Sequence, residues 1–149
     1  MKSQDPNLTV EHILQHWHQG RSSLDWRRMA IKGKIEWLKA CLHWTGLPQH
    51  PIPAFDYIID GNQVQSDHDY FCLIGEVFFG YRGYFGTNLD GWVDCLSEIY
   101  MHDKTKAPVE TGAKVIIKNS QRMKEALTEE FFLEIVKGFE KYGFGVDVE

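Results

Sequence analysis

Three prolines in six residues, Pro48, Pro51 and Pro53 of "LPQHPIPA", divide this chain into two parts of different character. Proline lacks the backbone donor that a helix needs and pushes the residue before it toward extended backbone, so residues 45–54 read as an extended linker or boundary. Before that boundary the pattern is helical. Val10, Ile13, Leu14 and Trp17 follow i, i+3, i+4, i+7 spacing, with Thr9 a candidate N-cap and Gly20 a stop. A second helix is expected from Ser23 to Trp44, carrying Trp26, Ala30, Leu38, Cys41 and Leu42, with Gly33 a weak point in its middle. Trp17, Trp26, Trp37 and Trp44 read as core or docking residues of a helical hairpin packed on the C-terminal part of the chain; dimerisation and contact with a partner are the other uses of such a segment.

After the prolines, strand and helix patterns alternate. Phe55 to Ile59 reads as a strand followed by a Gly-Asn turn, "AKVIIKN" as a buried β-branched strand, and the closing "FGVDV" as a third. Between them, Ser66 and Asp69 have capping-box spacing ahead of a helix through Tyr70, Phe71, Leu73, Ile74 and Val77. Further helical patterns run from about Asn88 to Ile99, Ser120 to Ala126 and Thr128 to Lys141, the last stopped by Gly143. Strands separated by helices imply an α/β fold with a small parallel sheet and crossover helices. The expected organisation is therefore a helical extension and Pro-rich linker over residues 1–54 and an α/β domain over 55–149.

The 149 residues suffice for one ordinary core. No apolar run approaches a membrane span, and "MKSQDPNLTVEHIL" lacks the apolar stretch of a secretory signal, so the expected location is the cytoplasm. Cys41, Cys72 and Cys95 are odd in number and lie in apolar surroundings without CxxC spacing; they read as buried small hydrophobes. The net charge of -5 is unevenly divided: residues 1–55 carry seven Lys/Arg against four Asp/Glu, and residues 56–149 carry nine against seventeen. An acidic second part argues against nucleic acid as a direct ligand.

The acids concentrate meaning in "YFGTNLDGWVDCL", residues 84–96. Leu89, Trp92, Val93 and Leu96 form the apolar face of a helix, leaving Asp90, Asp94 and Ser97 together on the other, beside Gly91. Like charges at i, i+4 cost a helix about 0.2–0.5 kcal/mol, and an interior Gly costs about 1 kcal/mol relative to Ala. A helix optimised for stability alone would avoid both. Tyr81, Tyr84 and Phe85, set among Gly80, Gly83 and Gly86 just before it, suit a recognition surface, and Gly91 leaves a smooth patch for close approach.

This stretch resembles the barstar family, intracellular inhibitors of a secreted bacterial ribonuclease. The resemblance continues through "IIDGNQVQS", "AKVIIKN" and "FLEIVKGFEKYGFGVDV", covering about residues 56–149 in order, while the first 55 residues have no counterpart in it. It implies a three-stranded parallel sheet packed with helices, and a ribonuclease as partner whose basic active-site cleft is plugged by the helix and its loop. Residue by residue, it places Asp94 at the carboxylate that enters the phosphate-binding pocket and Asp90 at the second acidic contact. Tyr84 falls at the aromatic that packs on the enzyme, Gly86 and Asn88 at the loop positions beside it. With Phe85 and Gly91, these make the expected partner-binding set. The chain departs from the family pattern in three respects: the further acid of the last helix falls at Gly138, the chain has Ile99 followed by Tyr100 where the pattern has a tryptophan near the end of the acidic helix, and Arg82 adds a positive charge to the loop.

Other chemistries find little support. His12 and His16 are i, i+4 and His18 is close, but no third ligand is placed and the H-E-x-x-H pattern is absent. No nucleophile elbow or P-loop is present, and "GYRGYFG" leads into an acidic helix, the wrong charge for a pyrophosphate. The chain is expected to be an inhibitor and not an enzyme, without cofactor or metal. The alternative reading is a non-inhibitory interaction module in which Arg82 reads an acid on its partner.

Overall fold

The computed structural model describes residues 8–49, 52–102 and 112–149. Two helices come first, α1 (Val10–His18) and α2 (Ile31–Thr45). Strand β1 (Asp56–Asp60) leads through a 3-10 turn at Gly61–Gln63 into α3 (Asp67–Phe79), and α4 (Leu89–His102) follows. Strand β2 (Lys114–Lys118), α5 (Ser120–Leu127), α6 (Glu129–Lys141) and β3 (Gly145–Val148) complete the chain. The strands form one parallel sheet in the order β1-β2-β3, with Ile59 opposite Ile117 and Ile117 opposite Val148. The expected α/β architecture, a small three-stranded parallel sheet packed with helices, is the one found.

Alternation along the strands selects the buried face. Tyr57, Ile59, Val115 and Ile117 are buried beneath the helices, whereas Asp56, Ile58, Lys114 and Lys118 are exposed on the other side. The core does not stop at the prolines. Ile13, Trp17, Trp26, Trp37 and Leu38 belong to the same contiguous buried cluster as Ile59, Ile74, Leu96 and Phe139. The seam is also polar: Lys34 of α2 pairs with the buried Asp69 of α3, and Arg27 grips Glu76 through both terminal nitrogens while its Nε donates to Gln63. Asp69 has a second task, since its carboxylate accepts the Gln65 N–H while Ser66 Oγ accepts the Asp69 N–H, capping α3.

One expected element is corrected. The helix read from Ser23 to Trp44 is two pieces, a 3-10 turn at Trp26–Arg28 and α2 from Ile31, separated by extended backbone at Met29 and Ala30. The break has local causes. Asp25 caps the turn by accepting the Arg27 N–H, both Trp26 and Met29 are buried, and Arg27 pairs with Glu76 of α3. Gly33, expected mid-helix, lies in the first turn of α2, where a Cβ would come 3.0 Å from Met29 Cβ.

Candidate functional site

The acidic helix α4 is oriented by its buried face. Trp92, Cys95, Leu96 and Ile99 are buried, and Leu89 and Val93 pack partly against them. Asp90 and Asp94 are therefore exposed, as is Glu98 one turn further on, with Ser97 half-buried beside them. Among the described residues no ion pair engages Asp90 or Asp94. Glu98 was missed in the sequence although the 90, 94, 98 spacing carries the signal.

Asn88 starts the helix. Its Oδ1 accepts the Gly91 N–H at 2.8 Å and its carbonyl accepts the Trp92 N–H at 2.9 Å, so two amides of the first turn are satisfied by one residue. Expected as a partner contact, Asn88 is exposed, but its side-chain oxygen is already turned to the helix. Gly91, half-buried on the same turn, would carry a Cβ 3.4 Å from Asn88 Oδ1 and 4.0 Å from the Tyr84 hydroxyl. The tyrosine hydroxyl thus reaches the helix at Gly91, beside the acids.

The preceding loop sits lower than its aromatic sequence suggests. Phe85 has no exposed area and packs on Phe78 with ring centroids 4.8 Å apart, so its ring supports the loop from inside and presents nothing to a partner. Tyr84 is 6% exposed, which leaves only an edge on the surface. Burial pushes the Tyr84 phenol up, as do Cys95 and Asp94, and the Thr87 hydroxyl opposes them. Gly86 is buried with φ +98°, and a Cβ there would lie 2.6 Å from the Trp92 nitrogen, so the chain can turn under the start of α4 only without a side chain. Gly83 and Gly75 meet backbone to backbone, which seats the loop on α3.

Arg82 does not face out beside the acids. Its guanidinium carbon lies 4.7 Å from the centre of the Trp44 ring and 5.3 Å from that of Trp17, and Nη2 donates to the Arg21 carbonyl. The loop's positive charge is turned toward the N-terminal helices.

No metal centre emerges from the histidines: among the described residues no three His, Cys, Asp or Glu side chains converge. Likewise, no helix of the described residues is long and apolar enough to cross a membrane.

The sequence model of the barstar family, described as Barstar (barnase inhibitor), matches residues 55–143, more than half of the chain. The chain belongs to the barstar family. The match runs from the residue before β1 through α6, so it contains the capped helix, the glycine-rich loop and both exposed aspartates, and leaves α1, α2 and β3 outside. Family membership makes this a barnase-inhibitor-like domain of a ribonuclease-binding family. Among curated proteins none matches the chain. At two places where the resemblance implies a departure, packing accounts for the residues present. Gly138 lies against Trp92, and Ile99 is buried in the core while Tyr100 packs on Tyr142 with centroids 5.8 Å apart.

Proposed function

We propose that this protein inhibits a ribonuclease by covering its active site with the exposed face of α4 and the loop before it. The observation that carries the reading is the exposure of Asp90 and Asp94 on one side of a helix whose other side is locked into the core. Two carboxylates one turn apart on a rigid support present a concentrated negative charge, as a phosphate-bearing strand does. A cleft that binds a polyanion is a field of positive charge, and preorganised acids complement it without a large ordering cost on association.

In this reading Asp94 enters the phosphate pocket and Asp90 makes the second acidic contact. The Tyr84 edge, Asn88 and Gly91 form the shelf beside them. Gly86 and Phe85 act from below by setting the loop. The alternative of a non-inhibitory module leaned on Arg82 as a reader of acids, and an Arg82 engaged by Trp17 and Trp44 weakens that alternative.

Affinity capture from the native host, followed by a ribonuclease assay on the captured protein with and without this chain, tests the proposal. A captured ribonuclease whose turnover is blocked supports it. Capture of a partner without nuclease activity, or of a nuclease that stays active in the complex, refutes inhibition.

A further inference from the structure

Arg82 is a residue whose type and backbone disagree. Its φ of 74° lies in the left-handed region that favours glycine, in a loop that already uses glycine at positions 80, 83 and 86. The side chain shows what the position gains from arginine. Three rings surround the guanidinium, those of Trp44, Trp17 and Tyr81 at 4.7, 5.3 and 5.5 Å from its carbon. Nη2 donates to the Arg21 carbonyl at 3.4 Å, whereas Nε is buried without a hydrogen-bond partner, so the aromatic faces are its main compensation.

Tyr81 repeats the connection. Its hydroxyl donates to the Leu24 carbonyl at 2.9 Å and accepts from the Trp17 indole N–H at 3.1 Å. Two successive loop residues are thus bound to the N-terminal helices. The next residues of the loop are bound elsewhere, Gly83 to α3 and Gly86 under α4. All the groups that hold Tyr81 and Arg82 from the N-terminal side lie outside the family match, which begins at residue 55.

We propose that Arg82 is a positioning residue: with Trp17, Trp44 and Tyr81 it fastens loop 80–86 to the N-terminal helices, so that Tyr84 and the start of α4 meet a partner already in binding geometry. The proposal rests on the inhibitory reading above and assigns the N-terminal layer a role in it. A loop held in place before association loses little freedom on binding, and the gain appears mainly as slower dissociation.

The sign of one substitution separates this role from a surface charge. A cation facing a basic cleft repels it, so Arg82→Met would then tighten the complex and speed association. As a positioning residue, Arg82→Met instead raises the dissociation rate, on the order of tenfold, with Arg82→Lys restoring only part because an ammonium does not stack as a flat guanidinium does. Trp44→Leu, which leaves the loop and its charge unaltered, moves dissociation in the same direction.

A second arm needs no partner. Hydrogen exchange by NMR is followed at the Gly83 amide, which donates to the Gly80 carbonyl at 2.8 Å, and at the Trp17 indole N–H. Both are expected to exchange about tenfold faster in Arg82→Met and in Trp44→Leu while the amides of β2 and α6 keep their protection. Unchanged exchange at both groups in both variants overturns the anchor, and so does a tighter complex for Arg82→Met. Should the parent chain inhibit no ribonuclease, the inhibitory reading falls alone, and the exchange arm decides whether the anchor exists.

Discussion

The indole of Trp92 lies on the backbone of Gly138: a Cβ at residue 138 would sit 2.5 Å from Cζ3 and 2.7 Å from Cη2 of the ring. This contact presses α4 against α6, and the same indole meets Phe139 edge-on with centroids 5.0 Å apart. Because Trp92 is fully buried, its seat also fixes the rotation of α4 about its axis, and with it the outward direction of Asp90 and Asp94. The glycine is the space the indole occupies.

Gly138→Ala is therefore a contest of two effects. Helix propensity favours alanine by about 1 kcal/mol, whereas overpacking a rigid ring costs about 1–3 kcal/mol. The expected net result in urea unfolding is a loss of stability. In a Trp92→Leu background the clash disappears and the same substitution becomes stabilising. A double-mutant cycle with no coupling between the two sites contradicts the packing account.

Asp94→Ala is expected to move binding and stability in opposite directions. Binding to the cognate ribonuclease weakens by about 2–5 kcal/mol, a general range for truncating one partner of a buried charge pair that draws partly on this family's own prototype complex and is not obtained from the present structure. Folding stability stays level or rises by up to about 0.5 kcal/mol, since the repulsion from Asp90 is relieved. Titration calorimetry and urea unfolding on one preparation check both, and an equal affinity for parent and variant removes Asp94 from the interface.

Charge-led encounter predicts a salt dependence. The association rate should fall steeply as ionic strength rises from low salt to physiological salt, where the screening length is about 8 Å. Stopped-flow mixing measures it, and Asp90→Asn with Asp94→Asn should flatten the slope. A flat response in the parent contradicts electrostatic steering.

The buried thiols make an alkaline prediction. Burial, then Asp94 and Glu98, push Cys95 from 9.0 up to about 12, and burial, then Glu76, push Cys41 to about 12. Cys72 and the fully buried Tyr70 are raised as well, chiefly by burial. A group whose pKa is raised by folding contributes fully below its unfolded value and loses that contribution as pH climbs through the folded one, because only the unfolded chain releases the proton in between. Stability in urea should therefore decline progressively from about pH 9 to about pH 12. Thiol labelling near pH 8 should track global unfolding, and rapid modification of the native protein would show these sulfurs to be accessible.

Much of the architecture was legible because its signals are local. Thr9 and Ser66 cap the helices they precede, and the strand runs fall within a residue or two of β1, β2 and β3. The exposed pair Asp90 and Asp94 could be read from the apolar spacing of the same helix. The interruption of the second helix was not legible, since the turn at Trp26–Arg28 is held by groups outside its own segment, Arg27 reaching Gln63 and also Glu76, 49 residues away. Nor was the burial of Phe85, since an irregular glycine-rich loop has no period from which facing can be read.

By itself, then, the sequence determined the individual helices and strands and the face on which α4 carries its acids, which rest on spacing within single segments, and the parallel sheet, which follows from strands alternating with helices. The tertiary structure alone decided what the aromatics and the arginine of the loop do. Tyr81 meets Trp17 across 64 residues of chain, and Arg82 finds its rings on α1 and α2. Such pairings are set by how helices pack around a shared core, and periodicity within one segment carries no trace of them.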